Sequence, residues 1–392
     1  MKKSCNIDSY ILVFVCLILA IVLNSCKNDV TNSEVSISPT PYDLPIPKFF
    51  PTQLNIPADN PLTVEGIELG RYLFYDERLA GTSNPDSMMT CGTCHLQSRS
   101  FECGIDNPRF IGGRPFGITG IPTPHYMLPL INLVWNQQGY LWNGMVYKDN
   151  PNAASRNIED IVYMGVTAPH EIASDSIRVK TYLQTIPGYP ELFKKAFGSD
   201  KITFKNVSKA IAQFIRTLVT ADSKFDKYLR GEQTLTTQEL NGYVIFTTEQ
   251  GGDCFHCHGG SGNPLFTTNL FYNNGTDSIF DDVRDRYSVT GNNMDKGVYK
   301  ATSLRNIVFT GPYMRDGRFK TLDEVIEFYS SGVINSPYIS SLMHHVSTGG
   351  AQLSPQSKAD LKAFILTLTD TTFTNNPVFS KPTTFPDGWQ GK

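Results

Sequence analysis

Two strings in the chain bring thiols and an imidazole together at fixed spacing: "CGTCH" runs from Cys91 to His95, and "CFHCH" from Cys254 to His258. Cysteines two residues apart can begin a thiol redox pair, a zinc site, or a covalent haem c attachment in which the next histidine meets the iron. Zinc needs four ligands brought together, yet 160 residues separate Cys94 from Cys254, against roughly 12 to 20 in common zinc modules. A thioredoxin-like pair belongs in a βαβ context, which the patterning here does not offer. Haem c attachment fits: two thiols on one helical turn add to two vinyl groups while the histidine approaches from the proximal side. The expectation is two covalent haems, one on Cys91, Cys94 and His95, the other on Cys254, Cys257 and His258.

The elements around the strings support a repeated frame. "LTVEGIELGRYLF" (Leu62 to Phe74) precedes the first string and "LTTQELNGYVIF" (Leu235 to Phe246) the second, each with a glycine four residues before the phenylalanine, Gly70 and Gly242. Both read as an amphipathic helix followed by a short loop and the cysteines, as a duplicated domain would. Val207, Ile211, Phe214 and Leu218 share one helical face, and Leu361, Phe364, Ile365 and Leu368 another, the latter begun by a Ser354 cap and Pro355. Residues 104–125 and 259–300 are rich in Gly, Pro and Asn, and strand-like alternation is scarce. The fold class expected is mainly α, with two cytochrome c-like haem domains and long irregular loops that wrap a large cofactor.

At 392 residues with 40% apolar composition the chain can fill sizeable cores, and a formal net charge of -3 gives no basic field for nucleic acid. Lys2 and Lys3 precede an apolar run from Tyr10 to Leu23, followed by Asn24, Ser25 and Cys26. That pattern reads as an export signal ending at a lipoprotein-type cysteine, so Cys26 is expected to carry lipid. An ordinary cleavage site or an uncleaved anchor is the alternative. Of eight cysteines, Cys5 and Cys16 leave with such a signal, Cys26 takes the lipid and four serve the strings, so only Cys103 remains, a buried free thiol. The division expected is a signal over 1–26, a flexible tether over 27–48, haem domains over 49–232 and 233–380, and a tail over 381–392. The location expected is the periplasm, on a lipid anchor.

From about Leu62 to Asp370 the sequence resembles the bacterial di-haem cytochrome c peroxidase and MauG superfamily. The stretches that carry the resemblance are "LGRYLFYDERL", "PLINLVWNQQGYLWNG", "APHEI", "IPGYPELFKKAFG", "FDKYLRG" and, most specifically, "TSLRNIVFTGPYMRDGRFKTLDEVIEFYSSG". The resemblance implies that the first haem meets hydrogen peroxide and the second receives and relays electrons. It places the catalytic glutamate at Glu171, a tryptophan between the haems at Trp142, and a tyrosine ligand of the second haem at Tyr329, with Met314 and Met343 as rival ligands. It also implies calcium on the carbonyls of Thr310 and Pro312, although the family's asparagine partner is replaced near Tyr126. A glutamine often found ten residues before the glutamate is Ile161 here, and Arg315 stands where many members have histidine. No histidine clearly matches the one that blocks the first haem in resting peroxidases; His125 is nearest, with the wrong spacing. His170, His344 and His345 read as surface or loop residues.

Three functions follow as expectations. The first is a peroxidase that reduces hydrogen peroxide to water with electrons from a reduced cytochrome c or similar donor. The second is a MauG-like oxidase acting on a partner protein through high-valent haem. The third is a di-haem electron-transfer cytochrome with no enzymatic step. Family members are often dimers, so a homodimer belongs to the same set of expectations.

Overall fold

Gly70 and Gly242 do the same job in two places. A Cβ on Gly70 would lie 1.9 Å from the Ala210 carbonyl oxygen, and one on Gly242 would lie 1.9 Å from that of Asp360. Each glycine lets two helices cross almost backbone to backbone, and each crossing seats a phenylalanine from one helix on one from the other. Phe74 packs on Phe214 at 5.2 Å between ring centroids, and Phe246 on Phe364 also at 5.2 Å.

The structure is a computed structural model that describes residues 38–147, 149, 156–260 and 262–391. The expected signal, Cys26 and most of the expected tether lie outside these residues. Among the described residues, seven helices have nine or more residues: α1 (Val64–Tyr75), α2 (Ile158–Thr167), α3 (Ser176–Thr185), α4 (Tyr189–Phe197), α5 (Phe204–Arg216), α6 (Thr237–Thr247) and α7 (Pro355–Leu366). Among the described residues, sheet is limited to two ribbons, β1 (Phe110–Ile111) with β2 (Arg114–Pro115) and β3 (Phe271–Tyr272) with β4 (Tyr299–Lys300), both antiparallel. No described helix is long and apolar enough to cross a membrane.

Local chemistry starts these helices as their sequences ask. Thr236 and Glu239 form a reciprocal capping box at the start of α6, and Ser354 accepts from the Ser357 amide at the start of α7, with Pro355 at the first helical position. The stripe on α5 is fully buried: Val207, Ile211, Phe214 and Leu218 are all at most 1% exposed.

Two main hydrophobic cores result. The first gathers α1 to α5 around residues from Leu69 to Leu218, and the second gathers α6 and α7 around residues from Phe225 to Leu368. The chain after Asp370 then returns to the first core, where Phe373, Phe379 and Phe385 are buried. Within the expected tail, Asp387 pairs with Arg78 at 2.6 Å while the Arg78 guanidinium stacks 4.2 Å from the Trp389 ring. Each core also carries a fully buried arginine held bidentately. Arg216 binds Glu159 at 2.6 and 2.8 Å, and Arg305 binds Asp226 at 2.8 and 2.5 Å. Removing one partner of such a pair leaves an uncompensated buried charge and costs about 3–5 kcal/mol.

Replacing Gly242 with Ala should force α6 and α7 apart and lower stability by about 1–3 kcal/mol in a urea titration. A variant as stable as the parent would mean that the two backbones do not meet there.

Candidate active site

The first string forms a single helical turn, Cys91–Cys94, that begins at Thr90. The Thr90 hydroxyl donates to the Phe74 carbonyl at 2.8 Å, which ties the turn to the end of α1. His95 follows, with Nδ1 2.6 Å from the Phe101 carbonyl oxygen. Phe101 holds a left-handed conformation, φ 58°, unusual for a bulky residue. The second string copies this arrangement. His258 Nδ1 lies 3.0 Å from the Thr302 carbonyl oxygen, and Phe266, φ 51°, presents its carbonyl to the same ring.

A carbonyl at Nδ1 fixes the tautomer that carries its proton there, so Nε2 of each ring keeps a free lone pair. Burial pushes both imidazoles down to about 4, so both rings are neutral ligands at neutral pH. The four thiols are unpaired, and burial pushes each up to about 12. At each string two free thiols and one neutral, oriented imidazole suit covalent attachment and axial ligation of a haem.

Glu171 lies in a turn beyond the end of α2, not at a helix start. Its carbonyl accepts from the Ile118 amide at 2.8 Å, and its own amide donates to Ala168 at 3.0 Å. Two glycines make room for it. A Cβ on Gly117 would fall 2.1 Å from the Glu171 carbonyl oxygen, and one on Gly165 would fall 2.8 Å from Oε2. The side chain keeps 41% of its surface accessible, yet its carboxyl is sunk deep enough that desolvation pushes it up to about 7. After burial, the next influence raising the Cys91 and Cys94 thiols is the charge of Glu171, so this carboxyl lies within electrostatic reach of the first string. His170 lies in the same turn, as the loop reading expects, and its Nε2 stands 3.8 Å from Glu171 Oε1.

The second string faces a different set of groups. Cys254, Cys257 and His258 line a cavity together with Tyr329, Met314, Met343 and Trp142. Tyr329 lies in a π-helical turn, Phe328–Gly332, of the kind often found at functional sites. Its hydroxyl accepts from Asn274 Nδ2 at 2.9 Å, and the same amide lies 3.8 Å from the Met314 sulfur. Burial pushes the phenol well above its ordinary value, with the Cys257 and Cys254 thiols adding to the rise. The Trp142 indole donates to the Tyr126 carbonyl at 2.7 Å, while the Trp142 carbonyl accepts from the Lys300 amide at 2.8 Å. Trp142 thus joins the loop after the first string to the wall of the second cavity.

His125 and Tyr126, which stand near family ligand positions without matching them, have partners of their own. His125 Nε2 donates to the Asp282 carboxylate at 2.8 Å, so that nitrogen is taken up by an ion-pair partner and cannot serve as a ligand. Tyr126 donates its hydroxyl to the Gly311 carbonyl at 3.1 Å, between Thr310 and Pro312. Calcium takes six to eight oxygens. Two carbonyls with a phenol donating between them fit that ion poorly, so no role is derived for calcium here.

Sequence reading missed Asn274, which no local motif marks, and Glu102, which lies beside Cys103. Both Glu102 and Cys103 are fully buried. Glu102 Oε2 accepts from the Gly104 amide at 3.0 Å, whereas Oε1 has no partner, and burial pushes the carboxyl up to about 7.

This fold and these two strings define a di-haem protein of the c-type cytochrome class. Residues 64–234 match the family model for di-haem cytochrome c peroxidases. Methylamine utilization protein MauG of Methylorubrum extorquens is 31% identical over 81% of this chain and 82% of its own length. Cytochrome c551 peroxidase of Nitrosomonas europaea is 34% identical over 69% of this chain and 75% of its own. A solved structure of a MauG-like protein associated with microbial copper homeostasis superposes with a TM-score of 0.72 at 31% identity, covering 87% of this chain and 99% of that one. The chain belongs to the di-haem cytochrome c peroxidase and MauG family.

A raised carboxyl pKa makes Glu102 a pH-dependent element. Its folded value, about 7, exceeds the unfolded 4.5. Its protonated form is therefore favoured by folding, and that contribution is lost as pH rises through 7. Replacing Glu102 with Gln should raise stability above pH 7 by up to about 3 kcal/mol and change little below pH 4.5. Denaturant titrations across this range check it; a variant destabilised equally at every pH would mean that Glu102 is ionised and paired.

Proposed function

We propose that the chain is a di-haem c-type peroxidase that reduces hydrogen peroxide to water, with electrons from a reduced cytochrome c or similar donor protein. The observation that carries this reading is the placement of Glu171, fitted against Gly117 and Gly165 within electrostatic reach of Cys91 and Cys94, where burial pushes its carboxyl up to about 7. A haem on the first string would supply the iron that binds peroxide and the electrons that divide it. Glu171 takes the proton from the near peroxide oxygen and returns it to the far oxygen, which leaves as water. A carboxyl near pKa 7 can serve as both base and acid at neutral pH. Each turnover consumes two electrons and two protons and yields two waters.

In this reading His95 and His258 would each ligate the iron of a haem held on its string, and Tyr329 would supply a further ligand at the second. Asn274 orients the Tyr329 hydroxyl for that task. A phenolic oxygen is a harder and more electron-donating ligand than a thioether, so the second site should have a low potential. Trp142, placed between the first loop and the second cavity, passes electrons between the sites. The donor protein delivers them at the second. Export on a Cys26 lipid anchor would put the enzyme in the periplasm, and a homodimer remains part of the proposal.

The tyrosine, rather than Met314 or Met343, also favours a second reading, in which a partner protein is oxidised through Trp142 as in MauG-like enzymes. Similarity to MauG supports it. The two readings share Glu171 and part at the electron source.

Stopped-flow mixing with peroxide tests the shared step. In the parent the rate should rise with pH and level off near 7, because the base must be ionised. Glu171→Gln should slow it by about 100-fold, the scale of general acid–base catalysis, and abolish that bend. An unchanged rate would remove Glu171 from the mechanism. Turnover of a reduced cytochrome separates the readings: rapid turnover supports the peroxidase, and none supports the partner-protein oxidase. Tyr329→Phe should alter the spectrum of the second haem alone; an unchanged spectrum would assign the ligand to another residue.

A further inference from the structure

The second string contains a histidine that haem attachment does not use. His256 lies between Cys254 and Cys257, where the first string has Gly92 and Thr93. Its ring does not float free. His256 Nδ1 stands 2.7 Å from Asp253 Oδ1, and the other oxygen of the same carboxylate lies 2.8 Å from His344 Nδ1. One carboxylate therefore holds two imidazoles, drawn from segments 88 residues apart in sequence, with their ring centroids 5.2 Å apart.

Asp253 is built to do this. It is buried at 6% side-chain exposure and adopts φ 54°, a left-handed conformation that Asp tolerates better than most residues. Because each Nδ1 gives its proton to Asp253, each Nε2 keeps its lone pair. Glu249 completes the group, with Oε1 3.7 Å from His256 Nε2. One ligand atom each from Glu249, His256 and His344 lie within 4.8 Å of one another. His344 and Glu249 are exposed at 39% and 56%, so their side chains can close the remaining gap to bonding distance.

We propose that Glu249, His256 and His344 bind a divalent ion of the zinc–copper class at the rim of the second haem site. Two imidazole nitrogens and one carboxylate oxygen suit these borderline ions, whereas magnesium and calcium take oxygen ligands throughout. A carboxylate behind a ligating imidazole is the usual device for orienting the ring and raising its basicity, and here a single aspartate serves two rings. Three protein ligands leave a fourth position for water or an exogenous group. The proposed peroxide chemistry uses none of these side chains, so the ion adds a function to the second string that the first cannot have.

The test uses the full haem-loaded protein without an affinity tag, stripped with a chelator and titrated separately with Zn²⁺ and Cu²⁺. We expect one tightly held ion per chain by elemental analysis, and nitrogen splitting from two imidazoles in the Cu²⁺ electron paramagnetic resonance spectrum. His344→Ala and Glu249→Gln should each weaken binding by at least about tenfold, with haem content unchanged. Should His344→Ala lose haem, Glu249→Gln alone decides, because that side chain is mostly exposed. Failure of the parent to hold either ion at micromolar concentration would overturn the proposal, as would variants that bind as tightly as the parent.

Discussion

Two backbone crossings organise this molecule. Where α1 meets α5 and where α6 meets α7, a glycine removes the one atom that would keep the helices apart, and the cysteines follow after a loop from the first helix of each pair. Everything downstream inherits that geometry. The Asn132 amide reaches the Leu218 carbonyl after α5, just as the Asn306 amide reaches that of Leu368 after α7, and both asparagines are left-handed. The proximal carbonyls of Phe101 and Thr302 are then delivered to His95 and His258. Such close approach is intolerant of added volume, because packed interiors yield little without strain.

On this repeated frame the two sites differ in His256 within the second string and in what later segments bring to them. Glu171 comes from the turn after α2 and is fitted against Gly117 and Gly165, as Tyr329 is against Gly350, where a Cβ would fall 2.6 Å from the Tyr329 carbonyl oxygen. Tyr329 comes from a π-helical turn and meets Asn274 from the loop after β3. In the proposed function, the first arrangement moves protons and leaves room for a small substrate, and the second closes an iron for electron transfer. Desolvation does the tuning in both. It holds a carboxyl near neutrality at one site and a phenol protonated at the other.

Much of this was legible in the sequence, for physical reasons that differ from residue to residue. Gly70, Gly242 and the stripes on α5 and α7 could be read because periodicity and the absence of a side chain are local properties. The strings could be read because covalent attachment fixes their spacing. Glu171, Trp142 and Tyr329 could be located only through resemblance, since nothing in "APHEI" or "EFYSSG" encodes which cavity those side chains enter. The return of residues after Asp370 to the first core left no local signal, because Phe373, Phe379 and Phe385 look like any scattered aromatics. The pairing of Asp253 with two histidines was equally silent. It depends on a loop 91 residues away in sequence arriving at His344.

The central claim is that one frame, used twice, carries an open site and a closed one. Low-temperature electron paramagnetic resonance of the oxidised haem-loaded protein tests it most directly. The account predicts one high-spin and one low-spin ferric signal in equal amounts, the first perturbed by Glu171→Gln and the second by Tyr329→Phe. Two low-spin signals, neither altered by those substitutions, would contradict it.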